Sequence, residues 1–110
     1  MRRAMIRKVL LAALVASALP AVASSGDAEV GKKKSTPCAA CHGVNGVGAG
    51  PEFPNLAGQY EDYLLTAMHH YKNGKRKNAI MQGMVANLSE KDMEDLAAFF
   101  ASQKTLEVKH

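Results

Sequence analysis

The stretch Cys38-Ala39-Ala40-Cys41-His42 limits this chain more than any other. Its cysteines are the only two among 110 residues, so a multiply stapled scaffold is excluded. Two intervening residues put both thiols on one side of a helical turn, with the imidazole next to them. That pattern serves c-type haem attachment. Each thiol adds to one vinyl group, giving two thioether bonds, and the adjacent histidine faces the iron. Three rival uses fit less well. A thioredoxin-like redox pair needs a βαβ context, and no period-2 strand pattern is present. A zinc site needs about four ligands, yet only His69, His70 and His110 remain outside the motif. A structural disulfide at this spacing is strained and leaves His42 unexplained.

The amino-terminal stretch accounts for the charge. The formal net charge is +4, and four of the 14 Lys and Arg residues lie in the first eight positions. An apolar run from Val9 to Leu19 follows, then Pro20 and the small-residue site Ala21-Val22-Ala23. Basic end, short apolar run and A-x-A exit read as a secretory signal, residues 1–23, cleaved after Ala23. A membrane span needs ~20 apolar residues, and this run is about half that. The Arg pair lacks the rest of a twin-arginine context, and no cysteine follows the site to take a lipid. All 10 acidic residues lie beyond Ala23, so residues 24–110 are formally neutral. That removes the only argument for nucleic-acid binding. The reading predicts a single exported domain, in a Gram-negative envelope a periplasmic one, without a stable membrane anchor.

A domain of this size buries only ~60–65% of its unfolded surface and needs a staple, metal or cofactor. Aromatic residues are 5% and tryptophan is absent, which leaves little to build a core. Three segments carry a helical period. One runs from about Asp27 to Lys34 and is stopped near Pro37. A second runs from about Tyr60 to Tyr71, with Tyr60, Tyr63, Leu64, Ala67, Met68 and Tyr71 on one apolar face. Asn73-Gly74 ends it. The third runs from about Ser89 to Gln103, opened by Ser89 with Glu90 and Asp92. Met93, Leu96, Ala97 and Phe100 form its buried stripe. The Gly- and Pro-rich stretch Gly43 to Gly58 is too broken for a regular element and reads as a loop wrapped around something.

These residues also resemble a family. Cys38 to Gly43, Phe53-Pro54-Asn55-Leu56-Ala57-Gly58-Gln59, Met81-Gln82-Gly83-Met84 and Leu96-Ala97-Ala98-Phe99-Phe100 are similar to class I cytochrome c. The likeness is to small bacterial monohaem proteins and to one half of the dihaem cytochromes of the c-four group. The resemblance implies an all-α cytochrome c fold, three main helices plus loops wrapped around one covalent haem. It implies that a methionine completes the iron. Met68 and Met93 lie on helical apolar stripes and read as core filler. Met81 and Met84 lie between helices, and the family pattern selects Met81, with Met84 packing against the haem. Solvent-exposed His69 and His70 are not expected to compete.

Other roles come from the same likeness. The Pro54 carbonyl is expected to accept a hydrogen bond from His42, or Pro54 only stiffens the loop. Leu56 is expected near the haem face. Arg76 matches a basic position before the ligand methionine and either approaches a haem propionate or is solvated. Gly31 is expected where the first helix closes on Phe99 and Phe100. Lys32-Lys33-Lys34 and the group Lys72, Lys75, Arg76 and Lys77 are either a docking patch for acidic redox partners or ordinary surface. The acidic residues opening the third helix need only the helix dipole. The function implied is one-electron transfer between larger redox proteins, not catalysis. Two alternatives stand beside it: the haem subunit of a larger oxidoreductase, and a five-coordinate haem sensor or peroxidase-like enzyme.

Overall fold

A computed structural model describes residues 26–104, so the proposed signal peptide and its cleavage after Ala23 fall outside the described residues. Every regular element among those residues is a helix, five rather than the three main ones expected: α1 Ala28–Lys34, α2 Thr36–His42, α3 Glu61–Asn73, α4 Ala79–Val85 and α5 Glu90–Ser102. The two additional helices are seven residues each. Pro37 does not simply stop α1. It sits in the first turn of α2, where its missing N–H costs nothing. Ser35 makes the joint, its hydroxyl donating to the Lys32 carbonyl at 2.7 Å. Helix α4 lies between the second and third expected helices, where the sequence shows no helical period. Asn78 opens it, its side chain accepting from the Met81 N–H at 3.0 Å. A helix of two turns is too short to show a period.

Helix α5 is the spine. Ser89 and Asp92 form a reciprocal capping box at its start. Met93, Asp95, Leu96, Ala97, Ala98, Phe99 and Phe100 are all buried along it. Leu64 of α3 joins Leu96, Ala97, Phe99 and Phe100 in one core, with Cys38, Leu56, Leu65, Met68, Leu88 and Ala101 packed around it. The Phe99 and Phe100 rings meet at 5.0 Å, tilted by 55°. The expected face of α3 is only partly inside. Leu64 is buried, but Tyr63 is 51% exposed, and Tyr60, which caps the helix, is 80% exposed.

Helix α1 closes on α5 at a glycine. A Cβ on Gly31 would lie 1.9 Å from the Asp95 carbonyl oxygen and 2.8 Å from Phe99 Cβ. Phe99 is thus a partner, whereas Phe100 turns toward Gly46 instead. The helix dipole does not suffice for the acidic side chains of α5. Asp95 is fully buried and accepts the Asp27 N–H at 2.8 Å and the ammonium groups of Lys34 at 2.7 Å and Lys91 at 2.9 Å. Lys34 also reaches Asp92 at 2.8 Å, so it ties α1 to α5 and is lost to any docking patch. The Lys34 ammonium and the Ser89 contacts hold the Asp92 carboxyl down to about 2. Lys34, the Asp27 N–H and Lys91 hold Asp95 well below the usual carboxylate range.

Two predictions follow from this crossing. Ala at position 31 gains ~1 kcal/mol of helix propensity, but its Cβ must displace a backbone carbonyl, at ~1–3 kcal/mol or more. The clash wins, so Gly31→Ala lowers the holoprotein melting temperature by about 5 °C or more; an unchanged or higher value contradicts the close approach. For Asp92 and Asp95 the folded pKa is depressed, so their stabilisation is present above the unfolded value of ~3.9 and lost as pH falls through the folded values. Asp95→Asn therefore lowers the melting temperature at neutral pH and flattens its decline between about pH 4 and pH 2. A decline as steep as in the unsubstituted protein would sink the assignment.

Candidate haem site

Helix α2 carries the motif. Cys38 and Cys41 are three residues apart and so lie on one helix face. Both side chains are half-buried, and Cys38 packs against the core. His42 closes the helix and is buried. Its Nδ1 lies 3.0 Å from the carbonyl oxygen of Pro54, twelve residues on. A carbonyl only accepts, so Nδ1 donates and carries the proton. Nε2 is then the unprotonated nitrogen, the form that binds a metal.

The loop between α2 and α3 sets that carbonyl. It folds on itself through Gly46, whose carbonyl accepts the Leu56 N–H at 2.7 Å and the Ala57 N–H at 3.0 Å. The Ala49 N–H returns to the Cys41 carbonyl at 3.0 Å, and the Gly58 N–H donates to the Phe100 carbonyl at 3.0 Å. The loop is therefore pinned to α2 at one side and to α5 at the other. Asn55 adds a cross-brace, its Oδ1 accepting the Gly48 N–H at 2.6 Å. In the sequence Asn55 stands out only as part of a motif; an amide side chain beside a Gly-rich turn is the signal for its bracing role. Leu56, half-buried, packs on the core. Gly46 has φ of 79°, and a Cβ there would lie 2.9 Å from both the Ala57 nitrogen and Phe100 Cδ1.

The remaining candidates lie on α3 and α4. Met93 is 2% exposed in the core, and Met68 packs beside it, so both have structural work. Met81 is half-buried and Met84 is 40% exposed, both on α4. Arg76, in the turn before α4, is not simply solvated. Its guanidinium donates to the Tyr63 hydroxyl at 3.4 Å and lies 4.9 Å from the Tyr71 ring centroid. The histidines are half-buried rather than fully exposed, and His69 Nε2 sits 2.6 Å from Glu90 Oε2.

The donor set suits a covalent haem. Two cysteines on one helical turn, a buried histidine with Nδ1 committed and the methionines of α4, a helix packed on α3, are the groups such a cofactor takes. Among the described residues no three His, Cys, Asp or Glu side chains gather into a metal site. Gly46→Ala forces a positive φ on an L-residue, at ~1–2 kcal/mol, and crowds the loop. We expect it to destabilise the holoprotein by about 1–3 kcal/mol in denaturant unfolding. A neutral effect would show that the loop does not depend on this turn.

Comparison with known proteins agrees with the geometry. The family model described as Cytochrome c matches residues 28–104. Cytochrome c4 of Pseudomonas aeruginosa is 47% identical over 100 residues, covering 90% of this chain and 50% of that protein. Cytochrome c-554(548) of Halomonas halodenitrificans is 42% identical over 83 residues, covering 73% of this chain and 100% of that protein. The crystal structure of reduced recombinant cytochrome c4 from Pseudomonas stutzeri superposes with a TM-score of 0.69 at 48% identity, over 72% of this chain and 46% of that one. The chain thus spans about half the length of the cytochrome c4 relatives. It belongs to the cytochrome c family, has the all-helical cytochrome c fold, and carries one covalently bound haem c.

Proposed function

We propose that this cytochrome c domain works in the periplasm, exported by residues 1–23, and passes single electrons between larger redox proteins. Cys38 and Cys41 would attach the haem, and His42 and Met81 would be the protein's ligands to its iron. The observation that carries this reading is the 3.0 Å contact between His42 Nδ1 and the Pro54 carbonyl. When bound, the haem supplies an iron that gains and loses one electron.

The chain's residues do the rest. The Pro54 carbonyl fixes the tautomer and the ring orientation of His42, and makes Nε2 more basic. The buried ring therefore keeps its place in both oxidation states. Met81 offers a thioether, which favours reduced iron and raises the potential. With two protein ligands no position is open to oxygen or substrate, which separates a carrier from an enzyme. Leu56 helps to exclude water beside the loop. Arg76, held by Tyr63 and Tyr71, brings a permanent charge into the turn before Met81, where a haem propionate would be its counterion. Lys32, Lys33, Lys75 and Lys77 remain exposed for docking onto acidic partners, an attraction that salt weakens.

The half-length match supports a second reading, a haem unit working beside a further domain or subunit. Size-exclusion of native extract separates a free shuttle from a subunit.

The decisive experiment is optical. The holoprotein should be low-spin in both oxidation states, and the reduced form should not bind carbon monoxide. Met81→Ala should abolish the thioether–iron charge-transfer band and admit carbon monoxide at one per haem, whereas Met84→Ala should keep the band. The reverse pattern would move the ligand to Met84. Carbon monoxide binding by the unsubstituted protein would overturn electron transfer as the function.

A further inference from the structure

The segment between α3 and α5 carries α4 and its two methionines, and α3 ties it down at both ends. At the front, the Arg76 N–H donates to the His70 carbonyl at 3.0 Å, and its guanidinium rests on Tyr63 and Tyr71. At the back, the Lys72 ammonium donates to the Leu88 carbonyl, and His69 Nε2 pairs with Glu90 Oε2 at 2.6 Å. The Leu88 N–H in turn donates to the Val85 carbonyl at 3.0 Å, so the back tie continues into the last turn of α4. His69 and Lys72 are three residues apart and so share one face of α3. They line one cleft with Asn73, Glu90 and Met93.

We propose that His69 and Lys72 are positioning residues for the α4 methionine that binds iron. This rests on the reading that a methionine of α4 is the second axial ligand. His69 joins Glu90 across α3 and α5, and Lys72 holds the Leu88 carbonyl from the same face of α3, so this latch fixes the chain leaving α4 from two points. His69 and Glu90 are 38% and 59% exposed, so solvent screens the pair and the effect is modest.

Amide hydrogen exchange of residues 82–88 in the holoprotein tests this, together with the thioether–iron band. Corrected for intrinsic rates, exchange should rise about two- to fivefold in His69→Ala and in Lys72→Met, and the band should weaken in step. Lys72→Arg should keep exchange slow. Unchanged exchange in either His69→Ala or Lys72→Met, or a band that ignores the latch, would each overturn the proposal. Retention of the band in both Met81→Ala and Met84→Ala would instead overturn the ligand reading, and the exchange data would still report the latch.

Discussion

The contact on which this molecule depends is the crossing of α1 on α5. Gly31 lets the two backbones touch, and Asp95 locks them from within. A buried carboxylate is costly unless every lone pair finds a donor. Here one backbone N–H and two ammonium groups supply the donors, from α1 and from α5 itself. The crossing fixes where α1 ends, and Ser35 then turns the chain directly into α2. The position of both cysteines and of His42 follows from that joint. A haem site on so short a helix would wander if its start were not fixed.

The second constraint is placed on the loop. His42 ends α2 and Pro54 lies in irregular chain, so a single hydrogen bond must join a helix to a loop. Such a bond is reliable only if the loop is rigid. The rigidity comes from Gly46, whose carbonyl takes two N–H donors, and from the contact of Gly58 with the Phe100 carbonyl. Phe100 thus serves the core with its ring and the loop with its backbone. Core and site are one structure, which is how a domain poor in aromatic residues holds the His42 imidazole in place.

Much of this was legible in the sequence, for physical reasons. The motif at Cys38, Cys41 and His42 is local, and a local motif shows its geometry through spacing alone. The buried stripe of α5 is thirteen residues long, enough for a helical period to stand out. Helices α2 and α4 were not legible, because seven residues make two turns and their starts depend on Pro37 and Asn78. Asp95 was hidden for a different reason. In sequence it follows Asp92 and Glu94 near the start of the helix, where the helix dipole alone accounts for acidic residues. Its burial comes from α1, more than sixty residues away. The role of Lys34 was hidden in the same way, inside a lysine run that looked uniformly exposed. Tyr63 and Tyr71 read as one apolar face, whereas they hold the cation of Arg76 from a later turn.

Charge in this domain is therefore local more than global. Residues 24–110 are formally neutral, yet neutrality hides three separate uses. Lys34 and Lys91 are bound to buried or half-buried carboxylates and hold helices together. Arg76, Lys72 and His69 tie the methionine segment to α3. Lys32, Lys33, Lys75, Lys77 and Lys104 are left in solvent. Among the described residues this last group acts at long range, and it is the group that ionic strength screens most. The first group acts at contact distance and yields to acid, not to salt. A cytochrome built this way can alter its docking charge without disturbing its core, because different cations do the two jobs.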